Sequence, residues 1–204
     1  VSTEHYFSPS PDGAPARRAL HLTLAGREIE VVTAAGVFSG DRLDLGTRVL
    51  LREAPSPPPA GNLLDLGCGW GPLTLAMAMA SPLAQVWAVD VNARARELTA
   101  ENAARLGLGN VRVVAPEEIA EEVRFAAIWS NPPIRIGKPA LHALLLQWLP
   151  RLDAGALGHL VVQRNLGADS LHAWLTAILD ERDPAMTVRR LGSAKGYRVL
   201  EIRR

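Results

Sequence analysis

Cysteine is almost missing: Cys68 is the only one in 204 residues. One thiol excludes a disulfide within the chain and argues against a cysteine-based zinc site, and it points to a reducing cytosol. Neither sign of charge is in excess. Lys and Arg number 22 against 21 Asp and Glu, a net charge of +1. A free-standing nucleic-acid binder is often far more basic, so any phosphate-binding surface here must be local. No segment approaches the roughly 18 consecutive apolar residues of a membrane span. The first residues, Val1 to Asp12, are polar and lack the apolar centre of a signal peptide. His5, His21, His142, His159 and His172 have no partners at ligand spacing, so no metal is expected. There is no internal repeat.

What is present is a packed domain. Hydrophobic residues make up 48% of the chain, enough to bury a sheet between helices. A Pro-rich stretch, residues 54–61, reads as a stiff connector. It divides an N-terminal extension, 1–53, from a main domain, 62–204. In the extension, Ala19 to Leu24 and Glu28 to Thr33 alternate around Ala25-Gly26-Arg27 and predict a hairpin. Asp44 is placed to cap a short helix through Arg52. After the connector, strands and helices alternate. Strands are expected at Asn62–Leu66, Gln85–Asp90, Val111–Val114, Phe125–Ser130, Leu157–Gln163, Thr187–Leu191 and Tyr197–Ile202. Helices are expected at Pro72–Ala80, Asn92–Leu106, Pro139–Leu152 and Ser170–Glu181. This is an α/β pattern: a seven-stranded, mostly parallel sheet with helices on both faces. The link between the last two strands is too short for a crossover, so the C-terminal strand is antiparallel.

Two elements carry chemistry. The first is Asp65-Leu66-Gly67-Cys68-Gly69-Trp70-Gly71, where a central strand turns into a helix. Glycines there allow a tight turn and close approach of a ligand to the backbone. The next strand ends in Asp90-Val91, and a carboxylate at that place can accept from both hydroxyls of a ribose. A nicotinamide enzyme would space its glycines Gly-x-Gly-x-x-Gly; here they run Gly-x-Gly-x-Gly. A ligand-free turn is the bland alternative. Cys68 has no partner base in the sequence and reads as a small residue filling the turn, and Trp70 as a lid or a packing residue.

The second element is Ser130-Asn131-Pro132-Pro133-Ile134, at the end of the fourth core strand. Two prolines stiffen the backbone and remove two N–H donors. The Asn131 side-chain oxygen and the Pro132 carbonyl remain as acceptors. Two rigid acceptors can hold both hydrogens of a planar amino group and aim its nitrogen at an electrophile. The alternative is a plain strand-ending turn, since Asn-Pro often opens one.

Together these residues resemble the motifs of class I S-adenosylmethionine-dependent methyltransferases, which have a Rossmann-like fold. The resemblance implies that Asp65, Gly67, Cys68, Gly69, Gly71, Asp90 and Val91 hold S-adenosylmethionine, with Asp65 at its methionine end and Asp90 at its ribose. It makes Glu117, after the third strand, the candidate for the adenine amino group. It makes Asn131, Pro132, Pro133 and Ile134 the catalytic turn of an amino-group methyltransferase. Ile134 departs from the family, which has Phe or Tyr there to stack on the target base; Phe38 and Trp129 are the candidates to replace it.

Further segments resemble the small-domain branch typified by ribosomal small-subunit guanine-N2 methyltransferases. These are His5-Tyr6-Phe7-Ser8-Pro9, the run from Gly36 to Thr47, Asn131 to Lys138, Val162-Gln163-Arg164 and Ala194-Lys195-Gly196-Tyr197. The resemblance covers nearly the whole chain and implies that Phe38 to Thr47 closes over cofactor and active site. It implies a ribosomal RNA substrate, free or in an assembling subunit. The known members carry two copies of the domain and this chain has one. Arg135 and Lys138 flank the catalytic turn and are candidates for phosphate contact, with Arg164, Lys195 and Arg198 extending the patch. Arg17-Arg18, Arg189-Arg190 and Arg203-Arg204 read as solvated surface. Protein glutamine, adenine in nucleic acid, or a non-catalytic binding module are the competing targets and roles.

Overall fold

The structure is a computed structural model, and it describes residues 17–204. The motif His5-Tyr6-Phe7-Ser8-Pro9 lies outside the described residues. The chain begins with the expected hairpin, β1 (Arg17–Leu24) and β2 (Arg27–Ala34), closed by Ala25 and Gly26, both at positive φ. Helix α1 (Leu45–Glu53) follows, and Asp44 caps it by accepting from the Thr47 amide. Next come β3 (Ala60–Leu66), α2 (Pro72–Ala80), β4 (Leu83–Val89), α3 (Ala93–Arg105), β5 (Val111–Val114), β6 (Phe125–Ser130), α4 (Lys138–Trp148), β7 (Leu152–Gln163), α5 (Ala168–Arg182), β8 (Thr187–Ala194) and β9 (Tyr197–Arg203).

Seven strands form one sheet in the order β5-β4-β3-β6-β7-β9-β8. β3, β4, β5, β6 and β7 are parallel, and β9 runs against both of its neighbours. This is the expected Rossmann-like sheet. Alternation along β3 explains how both faces are filled. Leu63 packs with Val49, Leu50, Leu73 and Met77 of α1 and α2, while Leu64 and Leu66 pack on the face covered by Leu141, Leu145, Leu171 and Leu175 of α4 and α5. The order reverses between β3 and β6, so loops at their carboxyl ends diverge and leave a crevice.

Two boundaries differ from expectation. The connector's last residues, Ala60 and Gly61, already pair with Leu83 and Ala84 as strand. Helix α4 stops at Trp148 rather than Leu152, because Pro150 has no N–H for the next helical bond; a single 3-10 turn, Leu149–Arg151, leads into β7. β7 then starts at Leu152, pairs with Phe125, and shifts register before Leu157 pairs with Ala127. Gly155, at φ 78°, lies within that irregularity, and its amide donates to the C-terminal Arg204 carbonyl.

The hairpin is a separate two-stranded sheet, stitched to the main sheet's helices. Its buried residues Leu24, Ile29, Val31 and Val32 belong to one cluster with Leu75, Ala95, Leu98 and Ala103 of α2 and α3. Buried Asn102 of α3 acts as a strand partner for β2. Its Oδ1 accepts from the Val32 amide at 2.7 Å, and its Nδ2 donates to the Val32 carbonyl and to the Trp70 carbonyl, each at 2.9 Å. Asn102→Ala leaves those backbone groups without partners and is expected to lower the unfolding free energy by about 2–4 kcal/mol in urea titration. Asn102→Asp, which sets a carboxylate against two carbonyls, should be no better. A loss under about 0.5 kcal/mol in both variants, the range of ordinary surface changes, would refute the role.

Candidate active site

The glycine loop is held open by its own backbone. The amides of Gly67 and Cys68 both donate to the Val89 carbonyl of β4, at 2.8 and 3.0 Å. Gly67 (φ 81°), Gly69 (φ 59°) and Gly71 (φ 100°) all sit in the left-handed region that favours glycine. Their surroundings differ. A Cβ at Gly67 or Gly69 would meet nothing within 4 Å, whereas one at Gly71 would lie 3.1 Å from the Thr99 side chain. The first two glycines therefore border free space, and the third serves close packing of α2 against α3. Thr99 also donates to the Gly69 carbonyl at 2.9 Å.

Asp65 lies buried at the end of β3. Its Oδ2 accepts from the Thr74 amide at 2.8 Å and the Thr74 hydroxyl at 2.6 Å, while Oδ1 is buried with no partner among the described residues. Burial raises its carboxyl to a pKa of about 7 against the pull of the two Thr74 bonds. Asp90 is tied to the loop: Oδ2 accepts from the Gly69 amide at 3.0 Å and Oδ1 from the Asn92 amide at 2.9 Å. Burial raises its pKa too, opposed by those bonds and by Arg96. The Val91 backbone also bonds this carboxylate, which still has accepting capacity left. The Cys68 thiol is held well above its usual pKa by burial and by the charges of Asp90 and Asp65. It stays protonated, which makes it a poor nucleophile.

The turn after β6 faces this loop. Ser130 Oγ donates to the Leu66 carbonyl at 2.6 Å, which joins the ends of β3 and β6. Asn131 Nδ2 donates to Asp44 Oδ2 at 2.9 Å and to Thr47 Oγ1 at 3.1 Å, and no described donor takes its Oδ1. The Pro132 carbonyl accepts from the Ile134 amide at 2.8 Å and so keeps one lone pair of two. Beyond it, Ile134–Ile136 forms a 3-10 turn, and Arg135 and Lys138 are exposed.

A cleft collects Phe38, Asp44, Thr47, Asp65, Gly67 and Asn131, with Cys68 and Gly69. Ser39, Trp70, Pro72 and Leu73 complete its wall, without having been singled out as site residues. Gly71, Asp90, Val91, Glu117, Pro132, Pro133 and Ile134 lie outside its lining, though on the same carboxyl edge of the sheet. Val91 and Glu117 are exposed there. The neighbouring Glu118 is engaged, since its carboxylate accepts from the Ala115 amide. Ile134 packs its side chain on the α4 and α5 core.

Several expectations fail. Trp129 is 4% exposed and meets His159 edge-on, so it cannot stack on a base. Phe38, 44% exposed at the cleft, can. Of the two readings of Trp70, the packing one fits and the lid does not: it is buried, and its Nε1 donates to the Ser39 carbonyl at 3.2 Å. Arg198 is paired with Asp169 at 3.2 Å. Arg189 pairs with buried Glu201 at 2.6 Å, and Arg204 binds Asp183 and two carbonyls, so those arginines are more than solvated surface. Sequence reasoning missed that Asp44 reaches Asn131. The only hint was a cap residue, Asp44, three positions before Thr47. Among the described residues no cluster of three or more metal-ligating side chains occurs, and no helix is long and apolar enough to cross a membrane.

Comparison with known proteins gives a consistent result. The family described as methyltransferase small domain matches residues 28–201. The uncharacterized protein YbxB of Bacillus subtilis is 31% identical over 205 residues, covering 99% of both chains. The ribosomal RNA small subunit methyltransferase C of Pseudomonas aeruginosa (strain LESB58) is 40% identical over 132 residues, which cover 61% of this chain and 39% of that protein. Its namesake in Ectopseudomonas mendocina is 32% identical over 200 residues, covering 96% of this chain and 57% of that protein. The chain thus spans about half the length, or less, of these larger relatives. A solved structure of the T. thermophilus 16S rRNA N2 G1207 methyltransferase, in complex with AdoMet and guanosine, superposes with a TM-score of 0.77 at 25% identity, over 92% of this chain and 50% of that one. The chain belongs to the methyltransferase small-domain family.

Proposed function

We propose that this chain is an S-adenosylmethionine-dependent N-methyltransferase whose target is an exocyclic amino group, guanine N2 of small-subunit ribosomal RNA. The observation that carries the reading is the pair of free oxygens at the cleft: Asn131 Oδ1 on one side and Asp65 Oδ1 on its floor. The first suits an amino donor and the second a cation. The larger relatives named above support the RNA target, and ribosomal RNA as substrate implies the cytoplasm as compartment. Residues 62–204 form the methyltransferase domain in this reading, and the N-terminal extension roofs it.

The residues present fit the cofactor. Asp65 Oδ1 takes the methionine ammonium, and the space beside Gly67 and Gly69 lets the methionine end lie against the loop, with Cys68 and Gly71 shaping the turn. The remaining lone pairs of Asp90 accept from the ribose hydroxyls. Val91 offers an exposed apolar contact to the adenine, and Glu117, the uncommitted acid after β5, takes its amino group. Bound there, S-adenosylmethionine supplies a methyl group on a positively charged sulfur.

Asn131 Oδ1 and the Pro132 carbonyl would accept the two N–H groups of the target and hold its nitrogen toward the side of the cleft where the cofactor would lie. Pro133 keeps that turn rigid, and Ile134 anchors it in the core. Transfer would form the N–C bond at that nitrogen and release the cofactor as a neutral thioether. Positive charge then grows on nitrogen beside the Asn131 oxygen, which stabilises it, and one amino proton leaves to solvent. Phe38 stacks on the base, and Thr47 closes the wall. Exposed Arg135, Lys138, Arg164 and Lys195, unpaired among the described residues, hold phosphates.

Three results are expected. Asn131→Ala should slow single-turnover methyl transfer into RNA about 100-fold at saturating cofactor, the size of a misalignment effect. An unchanged rate would reduce the turn to a structural one and sink the assignment.

Cofactor affinity should rise with pH up to about 7, because a protonated Asp65, with its pKa of about 7, cannot pair with the ammonium. It should fall again as the α-amino group loses its proton near pH 8, taking an ordinary α-amino pKa of about 7.7–8.0. Asp65→Asn should weaken binding and remove the rise below neutrality. Calorimetry at several pH values checks this, and a mutant that keeps the rise would clear Asp65 of the role.

Replacing both Arg135 and Lys138 by Ala should flatten the log–log salt dependence of RNA binding by about 1.5, from two lost phosphate contacts. Cofactor affinity should not move. An unaltered slope would put the phosphate surface elsewhere.

A further inference from the structure

Asn131 is useful only one way round. Its side-chain amide has a donor end and an acceptor end of nearly the same shape. With the oxygen toward the cleft it accepts from an amino group. Turned over, it would present two N–H donors to a donor. Something must fix the choice before substrate arrives, and the backbone of a Pro-stiffened turn does not do so.

We propose that Asp44 is a positioning residue that fixes the orientation of the Asn131 amide. The proposal rests on the reading of Asn131 as acceptor for the target amino group. Asp44 lies 87 residues away in the chain, yet its Oδ2 accepts from Asn131 Nδ2 at 2.9 Å. The Thr47 hydroxyl oxygen accepts from the same nitrogen at 3.1 Å. Two acceptors thus stand on the Nδ2 side. Reversing the amide would set Asn131 Oδ1 against the Asp44 carboxylate oxygen, two acceptors with no hydrogen between them, and would take the Asn131 N–H groups away from both partners in a partly buried site. The carboxylate also polarises the amide and makes the distal oxygen a better acceptor as positive charge develops on the target nitrogen.

The carboxylate is itself immobilised. The same Oδ2 accepts from the Thr47 amide at 3.0 Å as the N-cap of α1, so the first turn of that helix aims it. Space for it depends on Gly46. A Cβ there would lie 2.9 Å from Asp44 Oδ2 and 2.8 Å from Cε1 of Tyr197 on β9. Glycine at 46, flanked by the Tyr197 ring, gives the carboxylate one place to sit. α1 thus carries the device that orients a side chain on β6.

A plain helix cap would bond Thr47 and do nothing else, and substitution separates the two roles. Asp44→Ser keeps a good cap but is too short to reach Asn131. Asp44→Asn keeps an oxygen able to serve both Thr47 and Asn131, as Oδ2 does now, and loses only the charge. In single-turnover transfer at saturating cofactor, Asp44→Ser is expected to be slower by about 30–100-fold, with cofactor affinity within about threefold of wild type by the same reasoning that separates chemistry from binding. Asp44→Asn should recover most of that loss. In an Asn131→Ala background Asp44→Ser should add little, since the group it orients is gone. A wild-type rate in Asp44→Ser, a full loss persisting in the Asn131→Ala background, or a loss of cofactor affinity as large as the loss of rate would each overturn the proposal.

A second measurement needs no turnover. In side-chain amide NMR, the two Asn131 Nδ2 hydrogens should be well separated and slow to exchange in wild type and in Asp44→Asn. They should collapse toward exposed-amide values in Asp44→Ser, and identical spectra in all three proteins would overturn the proposal. This readout decides the positioning role even on a protein that methylates no RNA offered to it, so its failure and that of the methyltransferase reading are told apart.

Discussion

The bond on which the site depends is the one between Asp65 and Thr74. It joins the last turn-ward residue of β3 to the first turn of α2, and so spans the glycine loop from end to end. With both ends of the loop fixed, Gly67, Gly69 and Gly71 can hold left-handed conformations without the loop collapsing into the space beside it. The same carboxylate pays for this role electrostatically. Holding its pKa at about 7 rather than 3.8 means that ionising it in the folded protein costs on the order of 4 kcal/mol. Because the folded pKa is raised, that cost is absent below about pH 4 and fully felt above pH 7, so on its own the group destabilises the fold as pH rises between the two. A bound cation at Oδ1 relieves it. The strain placed in the apo cleft is therefore of the sign that a positively charged ligand reverses.

Asp90 and Asp44 follow the same scheme. Each is engaged with the scaffold, Asp90 with the Gly69 and Asn92 amides and Asp44 with the Thr47 amide, and each keeps accepting capacity for a second task. A carboxylate suits this because its two oxygens offer about four acceptor sites and no donors. Three acids near one cleft, with Asp90 adding to the difficulty of ionising Asp65 and both holding the Cys68 thiol up, make it a place where a thiol stays protonated and a cation is welcome. Apart from Arg96 beside Asp90, the exposed basic residues lie farther off, among them Arg135 and Lys138 beyond the turn after β6. Local separation of the two signs lets a chain of net charge +1 present an acidic cleft and a basic surface at once, as the proposed reading requires.

The sheet was legible because its information is local. Leu63 to Leu66 and Val86 to Val89 read as buried strands from their apolar runs, and the glycines after Asp65 and the prolines after Asn131 announce their turns through restricted backbone angles. The short link between β8 and β9 dictated the antiparallel strand. What local pattern does not carry is which side chain meets which across long separations. Asp44 looked like a helix cap and is one, but its second partner is 87 residues on, where only the finished sheet brings α1 over β6. Trp129 was a candidate to replace the aromatic missing at Ile134, and the pleat turned it inward against His159. Asn102 looked like one more polar residue on an amphipathic helix, and its task, pairing with a hairpin strand, exists only in three dimensions. Helix α4 ended early because the effect of Pro150 on its own turn outweighed the apolar periodicity beyond it.

These long-range contacts explain why the N-terminal extension belongs to the site rather than merely beside it. The segment leaving β2 crosses the cleft as a strap: Arg94 of α3 donates to the Ala35 carbonyl at 3.0 Å, Asn92 Nδ2 donates to the Gly36 carbonyl at 3.1 Å, and Trp70 of the glycine loop donates to the Ser39 carbonyl. Asn92 also caps α3 by accepting from the Arg94 and Ala95 amides, and its own amide is held by Asp90. One chain of hydrogen bonds therefore runs from Asp90 through Asn92 to the strap that carries Phe38. Whatever engages Asp90 acts on the same network that sets the position of the exposed aromatic ring. The strap then feeds directly into Asp44 and α1, so the Asn131 amide, the acidic floor and the exposed Phe38 ring are fastened to one another through contacts that no side-chain pattern in the extension would reveal.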